Sequence, residues 1–288
     1  MNNPTHTLRG LWLISRPLNV SFIILTVVLG SYLAGWQGTP WSSLLAGAAL
    51  AALSVMGYIL NDLVDLKIDM VNRPRRPLPS ALVTTHAAVI YGFIMALLGM
   101  SLGCLLNLHY ELFMTVVLLF IIIYDLVTKR MGVPGNINVA LLTSSALLAG
   151  PIAMGLDITP LWAPLALAFL LNLAREIMKD TEDMPGDKQA NIHTLPLAVG
   201  SDAALTISAC ISIVTLPIAG LYGLVNNWGW LFWAALVLGL AIPLFFALKP
   251  IMYHRNQTTA AVSQRILKLA MLGGLLTFYL GRMVYANG

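Results

Sequence analysis

Charge is what this chain has least of. Charged residues make up 10% of its 288 positions and apolar residues 58%, whereas soluble domains carry about 25% and about 45–50%. Such a composition cannot clothe a water-facing surface, which excludes an ordinary soluble enzyme. Only two cysteines are present, Cys104 and Cys210, both inside apolar runs. They exclude a disulfide framework, and the expectation is that they pack as small buried apolar groups. The chain has no P-loop, no Ser-His-Asp set and no zinc-type Cys/His spacing. It also lacks a basic face interleaved with aromatics, so no nucleic-acid partner is expected. No short apolar core precedes a small-residue cleavage site, so no cleavable signal is expected. Long linkers and low-complexity tracts are missing, which predicts one domain over 1–288.

What fills the chain is apolar sequence in long runs. A helix needs about 20 apolar residues to cross a bilayer. Nine runs qualify, at 18–35, 43–61, 86–106, 110–127, 136–154, 161–178, 202–224, 229–248 and 262–284. Pro151 and Pro217 interrupt the fifth and seventh, a break that membrane helices tolerate when neighbours satisfy the backbone. The fold class is therefore all-α, a polytopic membrane protein of nine transmembrane helices. Numbering the connections alternately puts 15 of the 16 Lys and Arg on one side, and only Arg282 falls opposite. The positive-inside rule then predicts a cytoplasmic N-terminus, cytoplasmic charged loops and a C-terminus on the other face of the cytoplasmic membrane.

Acids are rarer still: 12 in the chain, seven of them in two windows of identical design. Asp62-Leu-Val-Asp65-Leu-Lys-Ile-Asp69 and Asp180-Thr-Glu-Asp183-Met-Pro-Gly-Asp187 both read D-x-x-D-x-x-x-D. On a helix, three residues so spaced fall within an arc of about 60°. Glu176 joins that face one turn earlier and Glu182 points elsewhere. Pro185 and Gly186 predict that helicity fails past Asp183. Carboxylates near a membrane are costly unless neutralised. Two matched sets on one face predict divalent metal, and Mg²⁺ prefers carboxylates completed by substrate phosphates. Arg73, Arg75 and Arg76, in a proline-stiffened segment just past the first set, suit phosphate oxygens. Lys129 and Arg130 end the fourth run, with Tyr124 about one turn inside them. Asn61 is placed to ligate metal or to orient a carboxylate. Arg16 and Asn19 are polar groups at the rim of the first run, and His193 reads as a solvated loop residue.

These motifs resemble those of UbiA-type intramembrane prenyltransferases. The resemblance is carried by Asn61-Asp62-Leu-Val-Asp65-Leu-Lys-Ile-Asp69 and by the Asp180–Asp187 motif, and supported by Arg16-Pro17-Leu-Asn19, Arg76-Pro-Leu-Pro-Ser80, Gly135-Asn136 and Thr194-Leu195-Pro196. It covers almost the whole chain. It implies nine helices around a central cavity capped by two cytoplasmic loops, Mg²⁺ held by both acidic motifs, an isoprenyl diphosphate bound through those ions, and a lipid-like hydrophobic acceptor admitted from the membrane. Carried over by residue, it has Asn61, Asp62, Asp65 and Asp69 serve the first metal site, with the three aspartates as metal ligands, and Asp180, Asp183 and Asp187 the second, while Arg16 and Asn19 face the cavity mouth. Taken with the position of Tyr124 and Lys129, the candidate catalytic residues are Asp62, Asp65, Asp183, Tyr124 and Lys129. From charge, position and motif together, the candidate substrate-binding residues are Arg16, Asn19, Asn61, Arg73, Arg75, Arg76, Lys129, Arg130, Asn136 and Lys179. Two positions depart from the family pattern. Its Tyr-x-x-x-Lys becomes Tyr124 with Thr128 at that spacing and Lys129 one residue late, and Ala81 stands where a glycine is common after the Pro-Ser pair.

Within the family, Arg175-Glu176-Ile-Met-Lys179-Asp180-Thr-Glu182-Asp183 looks most like the branch that adds a geranylgeranyl group to a prenylated glycerol phosphate. An aromatic quinone precursor is the alternative acceptor. From another class, a divalent-cation transporter would also place acids in membrane helices. A CDP-alcohol phosphotransferase would need a continuous D-G…A-R…G…D-x-x-x-D run, which the chain does not contain.

Overall fold

The computed structural model describes the backbone of residues 4–189 and 192–286, and the side chains of 7–70, 73–189 and 192–283. Among the described residues the chain is helical, with no strand. Eight helices are long and apolar enough to cross a membrane. A pair bent by 42°, Thr7–Ile14 with Pro17–Leu33, makes up to nine. The first apolar run is therefore a helix that starts at Pro17 and follows a shorter one. Large apolar side chains such as Phe93, Leu97 and Leu238 lie exposed on these helices, which suits a protein whose solvent is lipid. The fold is that of an integral membrane protein.

The chain divides into two compact units. The first comprises residues up to Leu126, with Ala146–Asp157. It contains α1 (Pro4–Ile14), α2 (Pro17–Leu33), α3 (Trp41–Val64), α4 (Leu66–Asn72), α5 (Thr85–Cys104) and α6 (Leu108–Leu126). Here α3 packs against α2, α5 and α6. Its buried face is rich in alanine (Ala46, Ala49, Ala51, Ala52). Small residues let helix backbones approach closely where lipid supplies no hydrophobic drive, and Gly99 of α5 meets the Ala49 carbonyl and Leu53 across that seam. At one end of α3, Ile14, Val55, Ile59, Leu78, Val83 and Ala88 form a core cluster. It pins the 73–84 connection over the end of α3, and so fixes Arg76 beside the first acidic motif.

The second unit comprises Val127–Ser145 and Ile158–Gly288. It takes the first part of α7 (Val133–Met154), then α8 (Trp162–Gln189), α9 (Leu195–Val199), α10 (Ser201–Val225), α11 (Trp230–Ala235), α12 (Ile242–Tyr253) and α13 (Gln257–Ala286). A π-helical turn, Leu236–Ala241, joins α11 to α12. Within the unit α8 packs on α10 and α13, and α13 packs on α12. The backbones of Gly239 and Gly273 cross so closely that a Cβ on Gly273 would collide with the Gly239 carbonyl.

Two expectations are corrected. Helicity does not fail past Asp183: α8 runs unbroken through Pro185 to Gln189. A helical proline forfeits one backbone hydrogen bond, here the one to the Thr181 carbonyl, and a single loss near a helix end does not stop the helix. Nor are the cysteines buried: Cys104, at the end of α5, and Cys210, within α10, are both exposed. The interrupted fifth and seventh runs, by contrast, are single helices with Pro151 and Pro217 inside them.

Candidate active site

In the first unit the acidic motif sits at the junction of α3 and α4. Asp65 is the hinge residue between them, half-buried; its N–H donates to the Asn61 carbonyl (3.0 Å) and its carbonyl accepts the Asp69 N–H (2.8 Å). Asp62 and Asp69 are buried, at 4% and 5% exposure. A buried carboxylate is costly unless paired and hydrogen-bonded, and two arginines do this. Arg16 Nη2 lies 2.5 Å from Asp62 Oδ1. Arg76 Nη1 lies 3.3 Å from the same oxygen and 2.5 Å from Asp69 Oδ2. One guanidinium nitrogen thus stands between two carboxylates, where a cation would stand.

Arg16 is held in place from both sides. It adopts φ 50, ψ 63 at the break between α1 and α2, a left-handed conformation that non-glycine residues rarely take. Its guanidinium lies 4.8 Å from the centroid of the Tyr58 ring, a cation–π arrangement. Asn19 hydrogen-bonds the Tyr58 hydroxyl. Arg73 and Arg75 are exposed and are not brought to the acids as Arg76 is.

Asn61 orients a carboxylate, and the partner was not foreseen. Its Nδ2 donates to Asp125 Oδ1 at 2.8 Å. Asp125 is 5% exposed, at the end of α6 beside half-buried Tyr124. Its signal in the sequence was an acid near the end of the apolar run 110–127. Tyr58 was missed as well, since an isolated tyrosine in an apolar run carries no spacing.

In the second unit, Asp180, Asp183 and Asp187 lie on one continuous helix, so their spacing keeps them on a single stripe. Asn136 Nδ2 donates to Asp180 Oδ2 at 2.8 Å, so the structure brings Asn136 to the second acidic motif. The cation expected at this motif turns to another acid: Lys179 Nζ is 3.1 Å from Glu176 Oε2, and Arg175 Nη1 is 2.8 Å from Glu176 Oε1. Glu182 points away from the stripe, toward Arg265 and Gln264 of α13. Lys129 and Arg130 lie in a short 3₁₀ turn, Thr128–Arg130. Lys129 is half-buried and Arg130 exposed. The His193 N–H donates to the Arg130 carbonyl at 3.4 Å, tying this turn to the connection after the second motif.

Among the described residues, no three His, Cys, Asp or Glu side chains close on one point as a complete metal cage. The donor sets are carboxylate oxygens with amide support, which suits a hard cation that keeps positions open for phosphate oxygens. Arg76 Nη1 between Asp62 and Asp69 shows that the first set accommodates positive charge.

Known proteins bear on this geometry. The model of the UbiA prenyltransferase family matches residues 23–272. The digeranylgeranylglyceryl phosphate synthase of Methanopyrus kandleri is 32% identical over 268 residues, covering 92% of this chain and 96% of that protein. A solved structure concerned with digeranylgeranylglyceryl phosphate synthase in membranes superposes with a TM-score of 0.79 at 25% identity, covering 96% of this chain and 99% of that one. A UbiA homologue from Archaeoglobus fulgidus bound to DMAPP and Mg²⁺ shares the fold, with a TM-score of 0.65 at 18% identity over 96% of this chain and 99% of that one. With its matched aspartate motifs and its helices in the expected order, the chain belongs to the UbiA prenyltransferase family.

Proposed function

We propose that the protein transfers an isoprenyl group from a prenyl diphosphate to a lipid-like acceptor, with Mg²⁺ as cofactor. Its specific reaction is transfer of geranylgeranyl to the hydroxyl of a prenylated glycerol phosphate, forming an ether lipid. The observation that carries this reading is the pair of matched acid sets, each already organised by an amide or a guanidinium. It is supported by the identity to the named synthase along nearly the full chain.

Asp62, Asp65 and Asp69 form one set that would hold magnesium, and Asp180, Asp183 and Asp187 the other. Bound there, the metal supplies positive charge that stabilises the departing diphosphate. The chain's own residues do the rest. Arg16 and Arg76 exchange their aspartate partners for diphosphate oxygens and orient the donor; arginine forks fit both anions. Asn61 holds Asp125, and Asn136 holds Asp180, so the carboxylates keep their direction as charge arrives. The apolar helix faces exclude water that would quench an allylic cation. The C–O bond of the donor breaks, the acceptor hydroxyl oxygen bonds to the freed prenyl carbon, and the hydroxyl proton leaves on the diphosphate. Tyr124 and Lys129, near the ends of their elements, contribute polar contacts to the donor head. The segregation of basic residues supports a cytoplasmic placement for the N-terminus and both motifs, and an extracytoplasmic C-terminus.

The test is product analysis by mass spectrometry. Geranyl, farnesyl and geranylgeranyl diphosphates are offered with prenylated glycerol phosphate and with aromatic acceptors. The expected product is the doubly prenylated glycerol phosphate, formed with Mg²⁺ and lost with EDTA. Undiminished turnover in EDTA, or in Asp62→Ala and Asp183→Ala variants, refutes the scheme. A prenylated aromatic as sole product refutes the acceptor.

A further inference from the structure

The interface of α8 and α13, within the second unit, gathers four cations. Arg175 and Lys179 stand on α8; Arg265 and Lys268 stand on α13, which packs against it. Lys268 lies within electrostatic reach of Arg175, Arg265, Lys179 and Glu176. Two carboxylates pair directly with these cations among the described residues, and Lys179 also acts on Asp180 and Asp187 of the acidic stripe. Glu176 is shared by Arg175 and Lys179, and Glu182 is 3.9 Å from Arg265. Like charges crowd Lys268, for which no salt bridge is found among the described residues, and such crowding is eased by an anion.

Two polar atoms there point to a ligand. Arg175 Nε and Gln264 Oε1 are buried with no hydrogen-bond partner among the described residues. Gln264 is itself 8% exposed and reaches into the cluster, its Nε2 donating to Glu182 Oε2 at 3.1 Å. A buried polar group without a partner costs about 1–3 kcal/mol. One of these atoms is a donor and the other an acceptor. A phosphorylated glycerol matches both, with phosphate oxygens for the guanidinium and a hydroxyl for the amide oxygen. Beyond the charges, the same face of α13 turns apolar, with Leu269, Leu272 and Leu276 exposed at helical spacing. A basic head followed by an apolar stripe is the complement of an anionic lipid. The cluster also adjoins the acidic stripe, since Glu176 and Lys179 both act on Asp180.

We infer that this cluster is the headgroup site for the acceptor's phosphate, with the acceptor's tail along α13. The inference rests on the function proposed above and adds to it the residues that select a phosphorylated acceptor. A bulk anionic phospholipid carries the same phosphate chemistry, and the experiment separates the two.

Full-length protein in phosphatidylcholine nanodiscs is titrated, in EDTA and without donor, with geranylgeranylglycerol phosphate and with its dephosphorylated alcohol. The wild type is expected to bind the phosphate form about tenfold more tightly. An Arg265→Ala, Lys268→Ala double variant is expected to lose most of that preference, and Arg265→Lys with Lys268→Arg to keep it. Equal binding of the two lipids by the wild type overturns the inference. So does a preference that survives in the alanine variant, its folding verified by thermal unfolding. Persistence of the preference in phosphatidylglycerol nanodiscs supports the acceptor as occupant; its loss there overturns that assignment in favour of a bilayer lipid. Diphosphate release from geranylgeranyl diphosphate, measured on the same sample with Mg²⁺, keeps the two readings apart. A protein that cleaves the donor yet ignores the acceptor's phosphate refutes this inference alone, whereas one that cleaves no prenyl diphosphate refutes both.

Discussion

Ala81 stands in the left-handed region, at φ 56, a conformation that favours glycine. An L-residue is strained in that conformation by roughly 1–2 kcal/mol. Ala81→Gly should therefore stabilise the protein by up to about 1 kcal/mol after glycine's extra unfolded-chain entropy is deducted; an unchanged or lower Tm in detergent would contradict this. Arg76 carries a larger burden, because Asp62 and Asp69 both lean on it. Arg76→Met should raise the KM for donor about tenfold or more, and destabilise the metal-free protein by about 1–3 kcal/mol, with Mg²⁺ restoring part of the lost Tm. At this scale the acids were legible from spacing alone. Their keepers were legible only in part. Arg16 and Arg76 stand in recognisable motifs, but the Asn61–Asp125 pair joins positions 64 residues apart, and nothing local marks such a contact.

Helix α8 shows what an element adds to its residues. At 28 residues and about 1.5 Å per residue it extends roughly 42 Å, while the hydrocarbon layer is about 30 Å thick. Its final turns, which hold Asp180, Asp183 and Asp187, therefore reach past the apolar layer on a rigid rod. Apolar run length made the spans readable; the persistence of helicity through Pro185 was not, because local preference argued for a stop and tertiary packing on α10 and α13 overrode it. The crossing of α13 with the π-helical turn offers a test of packing. Gly273→Val cannot be accommodated beside Gly239 without moving backbone, and should cost about 1–3 kcal/mol, seen as a lower Tm and reduced yield of monodisperse protein. Ala at the exposed position 238 should leave both unchanged.

For the molecule as a whole, orientation and composition make one joint prediction. If the basic loops are cytoplasmic, exposed Cys104 at the end of α5 emerges on the opposite face. A membrane-impermeant maleimide should label it in right-side-out membranes and not in sealed inside-out vesicles; the reverse pattern would invert the topology. Cys210, well inside α10, should resist the reagent from both sides. Residue segregation is what the sequence offers on sidedness, and this labelling is its test. The grouping into two units was not legible there, since it depends on α7 contributing its two ends to different neighbours.

The arginine shared by Asp62 and Asp69 bears finally on biogenesis. A segment bearing three aspartates would resist leaving the translocon for lipid if its charge awaited an ion from the cytosol. By bringing its own counter-charge a few residues downstream, the nascent polypeptide can complete this region during synthesis, whatever the magnesium supply. Metal then becomes a requirement of turnover rather than of assembly. Cells starved of magnesium should accumulate intact, protease-resistant enzyme that regains activity as soon as the ion returns, with no new protein made.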